Sequence, residues 1–324
     1  MKIYLISDNL THQSLLLENI DLQESWWWLR KANKAILFVE SAWNGHRDKW
    51  KYKIAAYPDY PERNNQKLIK LVEKAKSKGI PTVFWNKEDS VHFDRFIDSA
   101  KHFDHIFTVD ANCVERYRAL VPASTTVDVA MFPVQPRIHY FKGFEFKHHA
   151  ANFVGSYSKH IHDVRRERQK MLFGAAKIAE LPIMIFDRNS DRKSDNYRYP
   201  VDEYGLITHS AVEYQKTADI YRDYLISLNV NTIEDSPTMY SRRVVEVLAC
   251  GGILVTTPAM AVDKLFSDYC HTVHNIDEAT ELFARLKHGP STLDLERAKA
   301  GSDYVLSRFT WRHFLDQIRT AVGY

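Results

Sequence analysis

The sequence predicts an α/β protein with two domains, each containing a parallel sheet covered by helices. Short apolar runs typical of buried strands alternate with stretches of helical period along the chain, and this pattern favours parallel sheets with right-handed crossovers. The length of 324 residues fits two domains of ordinary size. Hydrophobic residues make up 45% and aromatic residues 13% of the chain, so it can fill two cores and disorder is not expected.

Strands are predicted at five places in the first half of the chain. They are Lys2–Ile6, Ala35–Val39, Pro81–Trp85, His105–Val109 and Val127–Ala130. Between the second and third strands, apolar residues at helical spacing predict a helix over 64–78, which Gly79 and Pro81 end.

The second half shows the same alternation. Its predicted strands are Asn152–Val154, Ile183–Phe186, Leu225–Val230, Ile253–Thr256 and a weaker one at His271–Val273. Residues 132–149 are rich in Pro, His and Lys and have little periodicity, which is typical of a connection. We therefore expect a first domain over 1–140, a second over 141–309 and a separate C-terminal segment over 310–324, with a helix at Trp311–Ala321.

Polar residues and glycines are concentrated in residues 236–252, which read SPTMYSRRVVEVLACGG. The segment follows a predicted buried strand, which is where ligands bind in open α/β sheets. Ser236 and Thr238 are suited to cap the start of a helix, and Gly251 and Gly252 to end it. The unpaired N–H groups and the dipole at a helix start favour phosphate oxygens.

Two arginines and a glutamate strengthen this interpretation. Arg242 and Arg243 carry guanidinium groups whose geometry matches phosphate. Glu246 lies one turn beyond Arg242 on the same helix face, where it can accept hydrogen bonds from sugar hydroxyls. The combination suits a nucleoside diphosphate joined to a sugar. The alternative is an ordinary surface pair of Arg242 and Glu246 with a simple helix stop after it.

Residues 236–252 resemble the donor-binding signature of GT-B glycosyltransferases, most closely the CgeB-like branch described as glycosyl transferases group 1. Further stretches resemble the same branch in the same order along nearly the whole chain: VESAWNG (39–45), PTVFWNKEDSVHFDRF (81–96), FDHIFTVDANCVERY (103–117) and ANFVGSYS (151–158). The resemblance implies two Rossmann-like, doubly wound parallel-sheet domains facing a cleft. It places the acceptor mainly on the first domain and a nucleotide-sugar donor on the second, and it implies that the last helix packs back on the first domain.

The residues implied at the donor site follow strands of the second domain. They are Gly155, Arg188, Ser236, Thr238, Ser241, Arg242, Arg243 and Glu246. For Gly155 the alternative is an ordinary turn, and for Arg188 an exposed loop position. Many retaining relatives carry another glutamate eight positions before the one that Glu246 matches, and this chain has Thr238 there. Retention or inversion of the anomeric configuration therefore stays open.

Polar residues also follow the strands of the first domain and are expected to meet at one edge of its sheet. An inverting transferase needs a group that accepts the proton of the acceptor hydroxyl. The candidates for this catalytic role are Glu40, Glu88 and Asp89. The candidates for acceptor binding are Trp43, Asn86, Lys87 and His92, and His92 is also a candidate base.

Several of these positions have a structural alternative. Asp89 is also suited to cap the helix that follows it, and Asp110 is expected to be a cap because a helical stretch begins directly after it. Trp85 is a further candidate for the acceptor site. Trp26-Trp27-Trp28 is expected to pack mainly in the core, because consecutive helix residues face different directions.

No metal ligands and no cofactor are expected, and the nucleotide-sugar is a substrate. The chain has 15 histidines, but their spacings make neither HExxH nor a Cys/His zinc pattern. A GT-B enzyme can stabilise the departing diphosphate with a helix dipole and arginines instead. The basic run Arg165-Arg166-Glu167-Arg168 is predicted to be a solvated helix face.

Charge and cysteine content limit the setting. A formal net charge of +3 is too small to indicate nucleic-acid binding. Cys113, Cys250 and Cys270 form no close-spaced metal motif and fit reduced thiols. No apolar run approaches the ~20 residues of a membrane span, and the opening apolar stretch is too short for a signal-peptide core. We expect a cytoplasmic protein with at most peripheral membrane contact.

The sequence thus predicts a glycosyltransferase, with hexosyl transfer the first expectation. It would move a sugar from a nucleotide-sugar donor to a glycan or other hydroxyl acceptor, in the synthesis of surface polysaccharide or spore and cell-envelope glycan. One alternative is a related enzyme that transfers another group or removes a sugar. The other is a non-catalytic nucleotide-sugar or glycan-binding protein of the same fold, for which Thr238 in place of the first glutamate is the hint.

Overall fold

The computed structural model describes residues 1–25, 29–30 and 34–324. Contacts divide the chain into two compact units. Unit 1 comprises 1–135, 236–239 and 311–324, and unit 2 comprises 136–235 and 240–310. The predicted domain limits after 140 and 309 stay predictions, and the predicted packing of Trp26-Trp27-Trp28 falls outside the described residues.

Unit 1 contains a parallel sheet in the order β2-β1-β3-β4-β5-β6. Its strands are β1 (Lys2–Ile6), β2 (Asp21–Gln23), β3 (Ala35–Glu40), β4 (Thr82–Asn86), β5 (His105–Thr108) and β6 (Thr126–Val129). The strand order reverses between β1 and β3, and ligands bind outside the carboxyl ends of the strands at such a switch point.

Unit 2 contains a second parallel sheet in the order β12-β11-β10-β7-β8-β9. Its strands are β7 (His148–Gly155), β8 (Ile183–Asp187), β9 (Ile207–His209), β10 (Tyr224–Asn229), β11 (Leu254–Thr256) and β12 (His271–Thr272). Numbered within the unit, this is the Rossmann order, and its switch point lies between β7 and β10.

Helices cover both sheets. In unit 1 and unit 2 they are, in chain order, α1 (Asn9–Leu15), α2 (Gln66–Ser77), α3 (Phe93–Ala100), α4 (Val114–Arg118), α5 (Asp163–Ile178), α6 (Val201–Tyr204), α7 (Thr217–Asp223), α8 (Arg243–Ala249), α9 (Met260–Phe266), α10 (Ile276–Leu286), α11 (Thr292–Arg308) and α12 (Trp311–Ala321). The predicted α/β class with two all-parallel sheets is therefore confirmed. Within the described ranges, none of these helices combines the length and the apolarity that crossing a bilayer requires.

The last helix belongs to unit 1, where it packs by aromatic contacts. The ring centroids of Trp311 and Phe314 lie 5.8 and 4.7 Å from that of Trp85. Trp85 is fully buried, and its indole N–H donates to the carbonyl of Ala130 at 3.0 Å. Because a buried ring offers no surface to a substrate, the prediction that Trp85 serves the acceptor site is wrong; it is a core residue of unit 1.

The start of α8 differs from its prediction. The helix begins at Arg243, so Ser236 and Thr238 do not cap it. The Ser236 hydroxyl instead accepts from the backbone N–H of Thr238 and of Met239, at 3.3 and 3.0 Å, which closes a separate turn. Because the Ser236 hydroxyl bonds the N–H groups of this turn, it does not cap α8, which starts further along the chain.

Candidate functional site

The switch point of unit 1 holds a buried ionic network. Glu40 ends β3 with no exposed surface; its carboxylate accepts from the backbone N–H of Asp8 at 2.6 Å and from the Thr11 hydroxyl at 2.6 Å. The ammonium of Lys87 lies 3.0 Å from Glu40 Oε1 and also contacts the carboxylate of Asp8. Burial and Asp8 raise the pKa of Glu40, and Lys87 opposes that rise. Glu40 therefore holds Lys87 and the start of α1 in place, and Asp8, which sequence reasoning missed, carries the more exposed carboxylate of the pair.

Asp89 lies in a second buried network beside β4 and β5. Its carboxylate accepts from Asn86 Nδ2 at 2.7 Å, from the Thr108 hydroxyl at 2.7 Å and from the Tyr117 hydroxyl at 2.9 Å. Burial raises the pKa of Asp89 to about 7, against the effect of the hydrogen bonds from Thr108 and Tyr117. Asp89 and Asn86 have no exposed surface. The helix α3 begins only at Phe93, so the alternative that Asp89 caps it is also wrong.

Glu88 differs from both of these carboxylates because it is only half-buried. The indole N–H of Trp43 donates to Glu88 Oε2 at 3.2 Å. The ring of Trp43 meets that of His92 edge to face, with centroids 5.0 Å apart, and burial lowers the pKa of His92 while the charge of Glu88 opposes that shift. The structure thus brings together Glu88, Trp43 and His92, three of the residues predicted from the loops after β3 and β4. Asp110 caps the turn after β5, as predicted, by accepting from the backbone N–H of Asn112 at 3.0 Å.

The switch point of unit 2 is occupied by the guanidinium of Arg243. Its Nε and Nη2 donate to the carbonyl of Val154 at 2.9 and 2.6 Å, and its Nη1 donates to Asn229 Oδ1 at 2.7 Å. Val154 lies near the end of β7 and Asn229 ends β10, so Arg243 joins the two central strands at their carboxyl ends. The three contacts leave one N–H on each terminal nitrogen for a ligand, because a guanidinium carries five donors.

Gly155 allows this close approach. A Cβ at position 155 would lie 2.9 Å from Arg243 Nη2 and 2.6 Å from Phe153 Cε1, which are distances that side chains do not tolerate. The guanidinium of Arg243 lies over the ring of Phe153, 4.5 Å from the ring centroid, which is a cation–π contact. Gly155 is therefore needed for the position of Arg243, whatever ligand the loop after β7 contacts.

Two further arginines surround the same point. Arg165, in the first turns of α5, donates through Nη2 to the carbonyl of Ser156 at 3.0 Å. Burial lowers the pKa of Arg165 to about 10, and the like charges of Arg243 and Arg188 contribute to the shift. Arg188 follows β8, and its side chain is exposed. Three guanidinium groups that repel one another in this way form a cluster suited to a polyanionic ligand.

The prediction of a solvated face for residues 165–168 is wrong at two positions. Arg165 faces the cluster just described. Arg168 forms a bidentate ion pair with Glu234, with Nε 2.8 Å from Oε1 and Nη2 3.1 Å from Oε2. Arg166 bonds Asp163 on the same helix, as a solvated face would. Position rather than composition identifies Arg165, because it lies on the helix after the first strand of a Rossmann-like sheet, where phosphates bind.

The remaining predicted donor residues are placed as follows. Glu246 lies on α8, nearly fully buried, and accepts from the Tyr221 hydroxyl at 3.3 Å; burial raises its pKa, and Arg242 and Arg243 oppose that rise. Ser241 is half-buried, and its N–H donates to Asn231 Oδ1 at 3.2 Å.

Ser236 and Thr238 lie within unit 1 instead. The Ser236 hydroxyl has no exposed surface and donates to Asp110 Oδ1 at 2.6 Å. The Thr238 hydroxyl donates to the carbonyl of Val109 at 2.9 Å and accepts from the N–H of Ala111 at 2.9 Å. Both side chains therefore fix their segment to the end of β5, a role that the sequence pattern did not indicate.

The family comparison agrees with the resemblance seen in the sequence. A family model described as glycosyl transferase-like matches residues 165–320, just under half of the chain. The match covers the segment 236–252 and the arginines around the unit 2 switch point. The stretch 165–320 is therefore similar to glycosyl transferase-like proteins, the family that the sequence resembles. Among curated proteins, none matches the chain in sequence.

Solved structures share the fold at low sequence identity. TarM of S. aureus, solved as a point mutant in complex with fondaparinux, α-GlcNAc-glycerol and UDP, matches with TM-score 0.54 and 9% identity over 90% of this chain and 55% of its own. Sucrose-phosphate synthase from Thermosynechococcus elongatus matches with TM-score 0.54 and 11% identity over 99% and 98%. HepE of Anabaena, in complex with UDP and glucose, matches with TM-score 0.52 and 12% identity over 80% and 76%.

These neighbours share the architecture of this chain. They are GT-B glycosyltransferases, and together with the two parallel sheets they confirm the predicted GT-B fold. The chain spans about half the length of the TarM structures. Glycosyl transfer is the chemistry of the matched family and of these neighbours.

Proposed function

We propose that this protein transfers a hexose from a nucleotide-sugar donor to a hydroxyl of a glycan or similar acceptor, without a metal ion in the transfer step. The observation that carries the proposal is the arginine cluster at the switch point of unit 2, inside the family match. Arg243 and Arg165 are held by backbone carbonyls, so their geometry is fixed before a ligand arrives. Preorganised cations of this kind stabilise the charge that develops on a leaving nucleoside diphosphate.

The donor contacts follow from this arrangement. Arg165, Arg188 and Arg243 bind the diphosphate, and Arg242 at the start of α8 adds a fourth guanidinium. Glu246 then accepts hydrogen bonds from hydroxyls of the ribose or sugar. UDP is the first donor nucleotide to test, because the solved structures of TarM and HepE contain UDP.

For the acceptor we propose Glu88 as the group that accepts the proton of the attacking hydroxyl. Glu40 and Asp89 have no exposed surface, whereas Glu88 is half-buried and oriented by the Trp43 indole. Trp43 and His92 provide flat faces for a sugar ring beside it. Lys87 and Asp8 lie at the switch point of unit 1 and are suited to hold polar groups of the acceptor.

The biological setting belongs to the same proposal. Synthesis of surface polysaccharide or cell-envelope glycan remains our expectation for the pathway. All three cysteines are buried and unpaired with one another, as expected of a protein kept in a reducing compartment. We therefore propose a cytoplasmic enzyme whose partners are the donor and the acceptor, without nucleic acid.

The donor site is tested by measuring UDP binding to wild type, Arg165→Ala and Arg166→Ala by calorimetry and thermal shift. Arg166 is the matched control, because it lies next to Arg165 on α5 and bonds Asp163 instead. Loss of a charge-assisted hydrogen bond costs about 1.5–3 kcal/mol, so Arg165→Ala should weaken UDP binding by roughly 10- to 100-fold. Equal affinity of the two variants would contradict the site.

Turnover is tested with Glu88→Gln and Asp89→Asn in an assay of UDP release from UDP-sugars with hydroxyl acceptors. Loss of a general base costs roughly 10²–10⁴ in rate, so Glu88→Gln should lose turnover and keep UDP affinity. Asp89→Asn should keep most of the turnover of the fraction that is folded. If wild type binds UDP but turns over no donor, the non-catalytic alternative replaces the proposal.

A further inference from the structure

Outside the proposed sites, unit 1 contains a compact group of two histidines and a glutamate. The group consists of His12 on α1, Glu24 after β2 and His46 in the turn after β3. One ligand atom of each lies within 4.8 Å of the others. The residues are distant in sequence, with Glu24 between the two histidines, so no spacing motif indicates the group.

The distances match the coordination sphere of a tetrahedral ion. His12 Nε2 and His46 Nε2 lie 3.0 and 3.4 Å from Glu24 Oε1. Ligands at 2.0–2.1 Å from a tetrahedral centre are about 3.3 Å apart, close to both values. A small cavity of about 10 Å³, lined by these side chains together with Lys49 and Trp50, adjoins the group. Two imidazoles and one carboxylate are a common ligand set of Zn²⁺ with one open position.

Hydrogen bonds to the outer atoms orient the ligands. His46 Nδ1 lies 2.7 Å from Asn9 Oδ1, which only accepts, so this nitrogen carries the proton and Nε2 presents a lone pair. Glu24 Oε2 accepts from the Lys49 ammonium at 3.0 Å, which leaves Oε1 toward the histidines. Metal-ligating histidines and carboxylates are normally held by outer partners of this kind.

The ring nitrogens and the carboxylate oxygen that face one another, His12 Nε2, His46 Nε2 and Glu24 Oε1, therefore need a positive charge between them. Within the described part of the chain, His46 Nε2 is buried and has no hydrogen-bond partner, although Glu24 Oε1 is 3.4 Å away. A lone pair facing a carboxylate oxygen at that distance is repulsive unless a cation or a proton lies between them.

We propose that His12, Glu24 and His46 form a binding site for one divalent transition-metal ion, with Zn²⁺ the best match, completed by a water molecule. The ion connects α1, the segment after β2 and the turn after β3. The backbone N–H of His46 donates to the carbonyl of Ser7 at 2.6 Å, so the site lies directly beside the end of β1 and Asp8. Its role is to fix this edge of unit 1.

Metal binding requires one adjustment. The imidazole rings of His12 and His46 are stacked with centroids 3.9 Å apart. Two imidazoles on one tetrahedral ion have centroids about 5 Å apart, so the rings separate by roughly 1 Å when the ion enters. NMR signals of both rings should therefore shift on loading.

The test is a titration of the whole chelator-treated protein with Zn²⁺ by calorimetry, followed by Co²⁺ absorption spectroscopy. Wild type should bind one equivalent that the double variant Glu24→Gln/His46→Asn lacks, and Co²⁺ should show the intense visible bands of a tetrahedral site. Asn9→Ala should keep the site with affinity reduced about 10- to 100-fold, the effect expected of an outer partner. His160→Ala, which removes an exposed histidine of unit 2, is the matched control and should bind as wild type does.

The outcomes separate cleanly. If the double variant binds Zn²⁺ as tightly and in the same amount as wild type, the ion binds other histidines and the proposal is overturned. If wild type takes up no equivalent in the micromolar range, a proton rather than a metal lies between His46 and Glu24, and the proposal is equally overturned. UDP affinity should be the same in the double variant, so this test is independent of the proposed donor site.

Discussion

The buried carboxylate of Asp89 makes the stability of unit 1 depend on pH in a direction that can be worked out. Burial raises the pKa of Asp89 from 3.8 to about 7 in the folded protein. Below about pH 3.8 the carboxyl is protonated in both the folded and the unfolded protein. The stabilisation that folding gains from the raised pKa of Asp89 is therefore complete there. As pH rises from about 4 to about 7, the unfolded chain releases the proton first and the folded state loses stability. At about 1.4 kcal/mol for each pH unit, the loss is about 4 kcal/mol, a large part of the ordinary stability of a domain.

Asp89→Asn removes the titration and nearly preserves the shape of the side chain. In wild type, Asn86, Thr108 and Tyr117 donate hydrogen bonds to the carboxylate. In the variant, an amide N–H faces these same donors. The mismatch costs about 1–3 kcal/mol at every pH. The informative quantity is therefore how the stability difference between variant and wild type changes with pH.

Urea unfolding followed by tryptophan fluorescence at about pH 4.5 and about pH 7.5 measures this change. The difference should move in favour of the variant by about 3 kcal/mol between the two conditions. Asp94→Asn, which removes an exposed carboxylate of α3, is the matched control. If the difference between Asp89→Asn and wild type is the same at both pH values, the folded carboxyl titrates normally and the argument from burial is refuted.

Three further substitutions test single contacts. Gly155→Ala places a Cβ 2.9 Å from Arg243 Nη2, so we expect about a tenfold loss of UDP affinity by calorimetry and about 1–3 kcal/mol lost from unit 2; unchanged affinity would contradict the fixed guanidinium. Ser236→Ala removes the hydroxyl that donates to Asp110 at 2.6 Å and should destabilise the protein by about 1–3 kcal/mol while UDP affinity stays the same. A loss of UDP affinity would restore Ser236 to the donor site. Ser291→Ala removes the capping box of α11 and should cost about 1 kcal/mol in thermal unfolding; no change in melting temperature would show that the cap is dispensable.

The elements that local pattern predicts well are those with a buried face. Strand β1 and helix α12 have the predicted bounds, because apolar residues recur along them at the period of the element. Strands β2 and β9 were not predicted, since both are three residues long and lie at sheet edges without a buried apolar run. An edge strand is defined by its neighbour, and its own sequence need not show it.

The candidate site was predictable in part for the same reason. Loops after strands pointed to Glu88, Arg243 and Gly155, and the strand order of each sheet makes such loops converge. The sequence did not show that Asp89 is enclosed by Tyr117, or that Arg165 faces away from the rest of its basic run. Both depend on contacts between residues distant in the chain, which composition and spacing do not encode.

The two switch points differ in charge, and this difference supports the division of labour in the proposed reaction. In unit 1 the reversal between β1 and β3 holds the carboxylates of Asp8 and Glu40 around one ammonium, that of Lys87. In unit 2 the guanidinium of Arg243 lies at the reversal between β7 and β10, and the charges of Arg243 and Arg188 contribute to lowering the pKa of Arg165. A cationic switch point favours a diphosphate, whereas a largely anionic one disfavours it and suits neutral hydroxyls. A nucleotide-sugar is therefore favoured at the switch point of unit 2 over that of unit 1. Binding of UDP to a variant without Arg165 at wild-type strength would remove the electrostatic basis for that assignment.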